Sequence, residues 1–476
     1  MRTTALAHAL AVASGLAASA AAETVHGALV FTRHGDRTTK HYGAQVLTNL
    51  GAQQLFLVGS DYRARYLDSA SPNQIQGISE FQYVPAQIHA SAPDQRILLD
   101  TATAFLQGLY PPLSETRPQI EGQQLANGSS VNNPLGGYQY VTLHGISADS
   151  SDAVWIKGDD ECPAVARASA EFRASAEYRT RLAATRDFYR SLHPLVDDVY
   201  PSADDLSYAK AYDIFDIINV QRTHNKTSAA AQATDAQVLQ LRTLADSAEF
   251  GLNYNASQPA RSIHATTLAG AVWRHLNDTV SSAKGPKFSL LAGSYDTFLA
   301  FFGLANLTAA SPDFYGLPDY ASTMAFEVFT QRPDFRPADA RVRFLFRNGT
   351  AGTLRAFPLF GAQKTDLSWD EFSDVMQTRG ISTAEQWCGV CQSQAPFCAA
   401  YEVGNGGVTA NAVSADSGVS RGSWIAVVVV MAVALAGNLV WAALCLLGSR
   451  KRKEQVAAAG AGKEVHSVRS HDSGSV

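Results

Sequence analysis

Apolar runs and amphipathic stretches alternate along the first part of the chain. Residues 28–31, Ala28-Leu29-Val30-Phe31, form a short β-prone apolar run that reads as the end of a buried strand. In residues 47–67, Leu50, Leu55, Val58, Tyr62 and Tyr66 recur near one face, which predicts a helix. Residues 87–91 read as a strand that ends in a turn at Pro93. Residues 97–109 read as a helix stopped by Pro111 and Pro112. From Cys162 to Asp246 the pattern turns helical and richer in charge. Residues 171–192 lack Gly and Pro, and residues 208–221 and 229–250 continue in this mode. Then the first pattern returns. Residues 262–276 predict a helix, 288–292 a buried strand and 296–307 the following helix. Residues 342–346 and 353–358 predict a hairpin around Asn348-Gly349. The pattern therefore predicts an α/β core in two parts, 23–155 and 256–403, interrupted by a helical segment at 156–255. No long internal repeat is visible.

The two ends add an address. Arg2 followed by a mostly apolar stretch at 5–18, interrupted by His8 and Ser14, and then Ala20-Ala21-Ala22, reads as a signal peptide spanning 1–22. Residues 424–448 are apolar apart from Gly437, Asn438 and the closing glycine, long enough to cross a hydrocarbon layer of about 30 Å. Trp424 and Trp441 fit its interfaces, and Arg450-Lys451-Arg452-Lys453 fits the cytosolic side. This predicts a single-pass type I membrane protein of the secretory pathway or cell surface. Residues 404–423 would form a flexible stalk and 449–476 a cytosolic tail. A GPI signal is the weaker competitor, because such tails normally lack a basic cytosolic segment. Sequons at Asn127, Asn225, Asn255, Asn277, Asn306 and Asn348 all fall between the two membrane signals.

Composition narrows the class. With 46% hydrophobic residues in 476, the chain can bury a sizeable core. A net charge of −5, with no Lys/Arg run outside the tail, gives no reason to expect nucleic acid. Cys445 falls in the membrane span. Cys162, Cys388, Cys391 and Cys398 suggest two disulfides of open connectivity. The C-x-x-C pair at 388 and 391 lacks both a closed zinc-ligand set and a thioredoxin context, and no metal-ligand cluster stands out. Oligomeric state is not readable.

The first strand delivers Arg33-His34-Gly35-Asp36-Arg37 to a strand's C-terminal edge, where open α/β sheets bind ligands. Two guanidinium forks suit a phosphoryl group. A histidine between them suits nucleophilic attack on phosphorus, and Gly35 allows a tight approach. This R-H-G-x-R run resembles the signature of the histidine acid phosphatases. A second segment, Leu290-Leu291-Ala292-Gly293-Ser294-Tyr295-Asp296, resembles that family's His-Asp segment, with Tyr295 in place of the histidine. A third, His89-Ala90-Ser91-Ala92-Pro93-Asp94-Gln95-Arg96, resembles the arginine segment of its phytase-like branch. His89 stands where a third phosphate-binding arginine is expected, and Arg96 matches the later arginine after an insertion at Gln95. The proline that usually closes R-H-G-x-R-x-P is Thr39.

The resemblance covers residues 24 to about 400. It implies a phosphoglycerate-mutase-like three-layer α/β core with an inserted all-helical cap. It also implies a phosphomonoester substrate, no cofactor, and a phosphohistidine formed on His34. In that scheme Asp296 is the proton donor, and Arg33, Arg37, His89, Tyr295 and Arg96 contact phosphate. The altered positions predict an acid-dependent, weakened activity. They leave as the alternative a phosphatase-fold cell-surface binding glycoprotein. A mutase fits the secretory signals poorly, and a phytase would need a more basic pocket. His41 is expected at the pocket mouth. His144, His193, His224, His264 and His275 are expected to be surface or satisfied core residues.

Overall fold

Strand β1, Thr24–Arg33, lies in the middle of an eight-stranded mixed sheet and is buried along nearly its whole length. The other strands are β2 (Ile88–Pro93), β3 (His144–Ile146), β4 (Phe288–Gly293), β5 (Thr323–Thr330), β6 (Arg341–Arg347), β7 (Arg355–Phe357) and β8 (Asp366–Ser368). Their order is β8-β6-β5-β1-β4-β2-β3, with β7 paired to β6. β1, β4, β2 and β3 run parallel, and β5 runs antiparallel to β1. The computed structural model describes residues 23–117, 122–281 and 285–402. The signal peptide, stalk, membrane span and tail expected at 1–22 and from 404 onward lie outside the described residues, as does Cys445. Among the described residues no helix is long and apolar enough to cross a membrane.

Side chains alternate across the sheet. Ala28 and Val30 of β1 join Leu290 and Ala292 of β4 under α1 (Asn49–Tyr66) and α2 (Arg96–Leu109). Leu29, Phe31 and Leu291 face the opposite helical layer. That layer includes α8 (Ile263–Ser281) and α9 (Tyr295–Leu304), so the core has three layers. Between β3 and β4 the chain is almost wholly helical: α3 (Pro163–Arg173), α4 (Ala176–Ala184), α5 (Arg186–Ser191), α6 (Ala211–His224) and α7 (Asp235–Asn253).

Three local readings differ from the sequence. Residues 171–192 are not one helix, because Ser175 caps α4 by accepting from Tyr178 N at 3.1 Å. Leu50 lies in the first turn of α1 and is exposed, while Leu55, Val58, Tyr62 and Tyr66 are buried. The strand β5 escaped notice because Glu327 interrupts its apolar run. That carboxylate is fully buried and accepts from Arg65 Nε (2.7 Å), Tyr66 Oη (2.8 Å) and Arg343 Nε (2.9 Å).

The cysteines pair as Cys162–Cys391 and Cys388–Cys398. Among the sequon asparagines, Asn127, Asn225, Asn306 and Asn348 are exposed, and Asn255 and Asn277 are half-buried.

Candidate active site

The ends of three neighbouring strands converge on His34. Its backbone N–H donates to Gly293 O at the end of β4 (3.3 Å), and its carbonyl accepts from Ala321 N just before β5 (3.0 Å). Gly35 then packs on the first turn of α1. A Cβ there would lie 2.4 Å from Gly51 O, so the glycine serves close approach and not a left-handed backbone.

The His34 ring is buried, and Nδ1 lies 2.9 Å from Gly35 O. A carbonyl only accepts, so Nδ1 carries the proton and Nε2 keeps its lone pair. Burial, with Arg33 and Arg37 adding to it, pushes the imidazole pKa well below its ordinary value. His34 is thus a neutral base with Nε2 free of a proton.

Arg33 is buried between two aromatic rings, its guanidinium 4.6 Å from the Tyr320 centroid and 5.2 Å from that of Tyr295. It also donates through Nη1 to Pro318 O. Tyr320 went unnoticed in the sequence because β5 did. Once β5 is known to run antiparallel to β1, the residues leading into it must fall at the edge where β1 ends.

Arg37 is placed otherwise than expected. Its Nη1 donates to both Asp216 oxygens (2.9 and 3.0 Å) and to Thr38 O, and its Nη2 donates to Tyr212 Oη (3.0 Å). Asp216 also accepts from Thr39 Oγ1 (2.9 Å) and Lys40 N (2.8 Å). In this structure Arg37 therefore ties the motif loop to α6. Thr39, in the position of the family's proline, fixes the same loop by a hydrogen bond. Tyr212 and Asp216 lie one helical turn apart on α6, a pairing visible only once α6 is known to cover the motif.

Asp296 lies in the first turn of α9, close enough to His34 for its charge to act on the imidazole. Its Oδ1 accepts from Thr297 N at 2.8 Å, and its Oδ2 lies 3.9 Å from Lys157 Nζ. His264 Nε2 donates to the Asp296 carbonyl at 3.0 Å. Burial alone would raise the carboxyl pKa, but Lys157, His264 and the Thr297 N–H outweigh it and bring it down to about 2. The resting carboxyl is ionised. Neither Lys157 nor His264 was singled out for this role in the sequence.

Tyr295 stacks on Tyr212 at 4.6 Å, and its hydroxyl donates to Glu249 Oε2 at 3.0 Å. The expected hydroxyl contact with phosphate is therefore corrected, since that group is turned to a carboxylate of α7. Burial pushes the Glu249 pKa up to about 7, against the pull of Tyr295 and Lys40. Raised in the fold, this group stabilises fully below its ordinary value and less as pH rises through about 7. Glu249→Gln should therefore abolish that alkaline loss. Melting temperatures of the variant and the parent, measured from about pH 5 to about pH 8, should diverge in the variant's favour at the alkaline end. Parallel curves would contradict the placement of Glu249.

Two expected phosphate contacts are not brought in. Arg96 opens α2 and points to solvent, 77% exposed, near Asp100. His89 pairs in register with Ser289, four residues before Gly293, or about 13 Å back along the strands. β2 runs on to Pro93, so the edge position belongs to Asp94 and Gln95. They line a recess of about 210 Å³ shared with Lys157 and Asp160. Arg33 itself lines a cleft of about 430 Å³, together with Gln54, Tyr212, Phe215, Asn219 and Tyr320.

The remaining histidines divide. His41 bonds Asp213 at an exposed position (3.0 Å). His224 Nε2 lies 2.6 Å from Asp36 Oδ1, whose other partner is Thr48 Oγ1. His193 bonds the Tyr200 carbonyl.

The family described as histidine phosphatase superfamily (branch 2) matches residues 34–347. No curated protein matches the chain. Among solved structures the chain is similar to the phytase of Klebsiella sp. ASR1 (14% identity, TM-score 0.54, covering 76% of this chain and 97% of that one). It is also similar to the phytase of Citrobacter braakii (15%, 0.50, 76% and 99%). The apo phytase of Hafnia alvei gives comparable values (14%, 0.50, 76% and 98%). At these identities the likeness is one of fold.

Proposed function

The chain belongs to the histidine phosphatase superfamily, branch 2, and from that premise we propose that it hydrolyses phosphomonoesters through a phosphohistidine on His34. The observation that carries this reading is the proton on Nδ1, held by Gly35 O, which leaves Nε2 as a neutral nucleophile. Nε2 attacks phosphorus in line, the P–O bond to the alcohol breaks, and the alcohol oxygen takes a proton. Arg33 stabilises the equatorial oxygens in this step. Water then attacks phosphorus, its proton passes to the Asp296 carboxylate, the N–P bond breaks with its electron pair returning to Nε2, and phosphate leaves.

Asp296 supplies the proton to the alcohol. It is ionised at rest, so it must first gain that proton when the dianionic substrate arrives, which acidic pH favours. This supports an acid-dependent rate.

The carboxylates around the site are Asp36, Asp160, Asp216, Glu249, Asp296 and Asp319. Among the described residues, Arg33 and Lys40 are the cations there that stand outside an ion pair, because Arg37 is held by Asp216 and Lys157 by Asp160 and Asp296. This balance favours a substrate carrying one phosphate over the multiply charged inositol phosphates acted on by phytases. Two disulfides fit an oxidising, secretory compartment. The type I anchor at 424–448 and glycans on the six sequons are proposed on the sequence alone.

A second reading has a specific observation in its favour. Arg37, His89, Arg96 and the Tyr295 hydroxyl all point elsewhere, which suits a phosphatase fold kept for binding. Hydrolysis of an aryl phosphate from about pH 4 to about pH 8 separates the two. The enzyme reading expects release that rises toward acid and falls by about 10³-fold or more in His34→Ala. Binding of phosphate without release at any pH would favour the second reading.

A further inference from the structure

His89 and His275 take part in a second arrangement, away from His34. A cavity of about 680 Å³ opens between the His89 and Ser91 face of β2, the strand β3 and the helix α8. His89 stacks parallel to His144 at 5.6 Å and lies 4.8 Å from His275. Arg274, next along α8, lies flat on Trp155 with its guanidinium carbon 3.7 Å from the ring centroid. Buried Ser91 also lines this cavity.

These groups share an unusual property. Among the described residues, no protein hydrogen bond is made by the side chains of Arg274, His89, His144 or Ser91, and His275 makes only a long contact to Ser289 Oγ (3.4 Å). The polar atoms of Arg274, His89 and Ser91 are not sealed inside the protein, so they stay open to a ligand in the cavity. A guanidinium stacked on indole keeps all its edge donors for a planar or tetrahedral oxyanion.

We propose that this cavity is a binding site for a small oxyanion, held by the edge of Arg274 and by the imidazoles of His89 and His275. It is separate from the phosphoryl-transfer site, since His89 sits about 13 Å short of the strand edge that carries His34. The charged and titratable groups facing it are Arg274, the three histidines, and Asp152 and Asp278 at the rim. The two carboxylates oppose an anion at neutral pH. Burial lowers the pKa of His89, and that of His275 to about 3, so both imidazoles are neutral in the free protein. A bound anion favours their protonated forms, and binding must then take up protons. Affinity therefore rises as pH falls.

Sulfate is the suitable probe, because its charge is constant between pH 5 and pH 7.5. Titrated into the full chain, it should change the fluorescence of Trp155 saturably, and the change should vanish in Trp155→Phe. Binding should be about tenfold tighter or more at the acidic end. Arg274→Gln should weaken it about tenfold or more while aryl-phosphate hydrolysis is retained. His89→Gln gives a second reading should Arg274→Gln fold poorly. Phosphate and citrate titrations then tell whether phosphate or carboxylate is the preferred oxyanion. No Trp155-dependent response to any of the three anions would overturn the proposal. So would a response of equal strength in Arg274→Gln and His89→Gln.

Discussion

Asp216→Ala is expected to lose about 3–5 kcal/mol of stability and all hydrolysis. Asp216 is buried and accepts from Arg37, Thr39 and Lys40, and Arg37 itself is 1% exposed. Removing the carboxylate leaves a guanidinium inside the protein with Tyr212 Oη and the Thr38 carbonyl as its remaining partners. An uncompensated buried charge is far more costly than the net worth of the pair. The loop that follows His34 also loses its tie to α6, and with it the seating of Arg37, Thr39 and Lys40 over the site. Asp216→Asn keeps one acceptor for Thr39 or Lys40 and should lose less. Denaturant unfolding monitored beside an aryl-phosphate assay reads both effects. A loss below about 1 kcal/mol, the scale of a surface pair, would mean that Arg37 is not buried on Asp216.

The second large effect concerns proton delivery. Lys157→Met removes the cation that most lowers the Asp296 pKa, and burial is then less opposed. The Asp296 pKa should rise, so the carboxyl holds its proton to higher pH and the alkaline limb of the kcat profile moves up by about one unit or more. The gain should be greatest for alkyl phosphates, whose leaving oxygen needs the proton. It should be small for aryl phosphates, whose leaving group is already stable. A rise in KM with no movement of the limb would place Lys157 on the substrate and not on Asp296.

What the sequence made legible was local. Arg33, His34 and Asp296 were readable because each follows an apolar run that ends at the same sheet edge, and strand polarity alone brings them together. The helical stretch between β3 and β4 was readable from its periodicity. What was not legible depends on contacts distant in sequence. Asp216 and Tyr212 look like ordinary positions on an amphipathic helix until α6 is laid over the motif. Tyr320 depends on β5, hidden by the buried charge of Glu327. Lys157 and Glu249 act on Asp296 and Tyr295 across more than one element. His89 was misplaced by register: β2 continues to Pro93, so a motif-based match put at the edge a residue that sits near the strand's start. The disulfide pairing had no signature in the spacing.

Acceptance of the phosphoryl group by His34 Nε2 is the step that most needs a test. The direct measurement is rapid acid-free quenching of the enzyme during turnover of an aryl phosphate, followed by mass analysis of the peptide that contains His34. The expected result is a phosphoryl adduct on His34 that is labile in acid, stable in base, formed at the rate of the product burst, and absent in His34→Ala. Phosphate release with no adduct on His34, or release undiminished in His34→Ala, would contradict it.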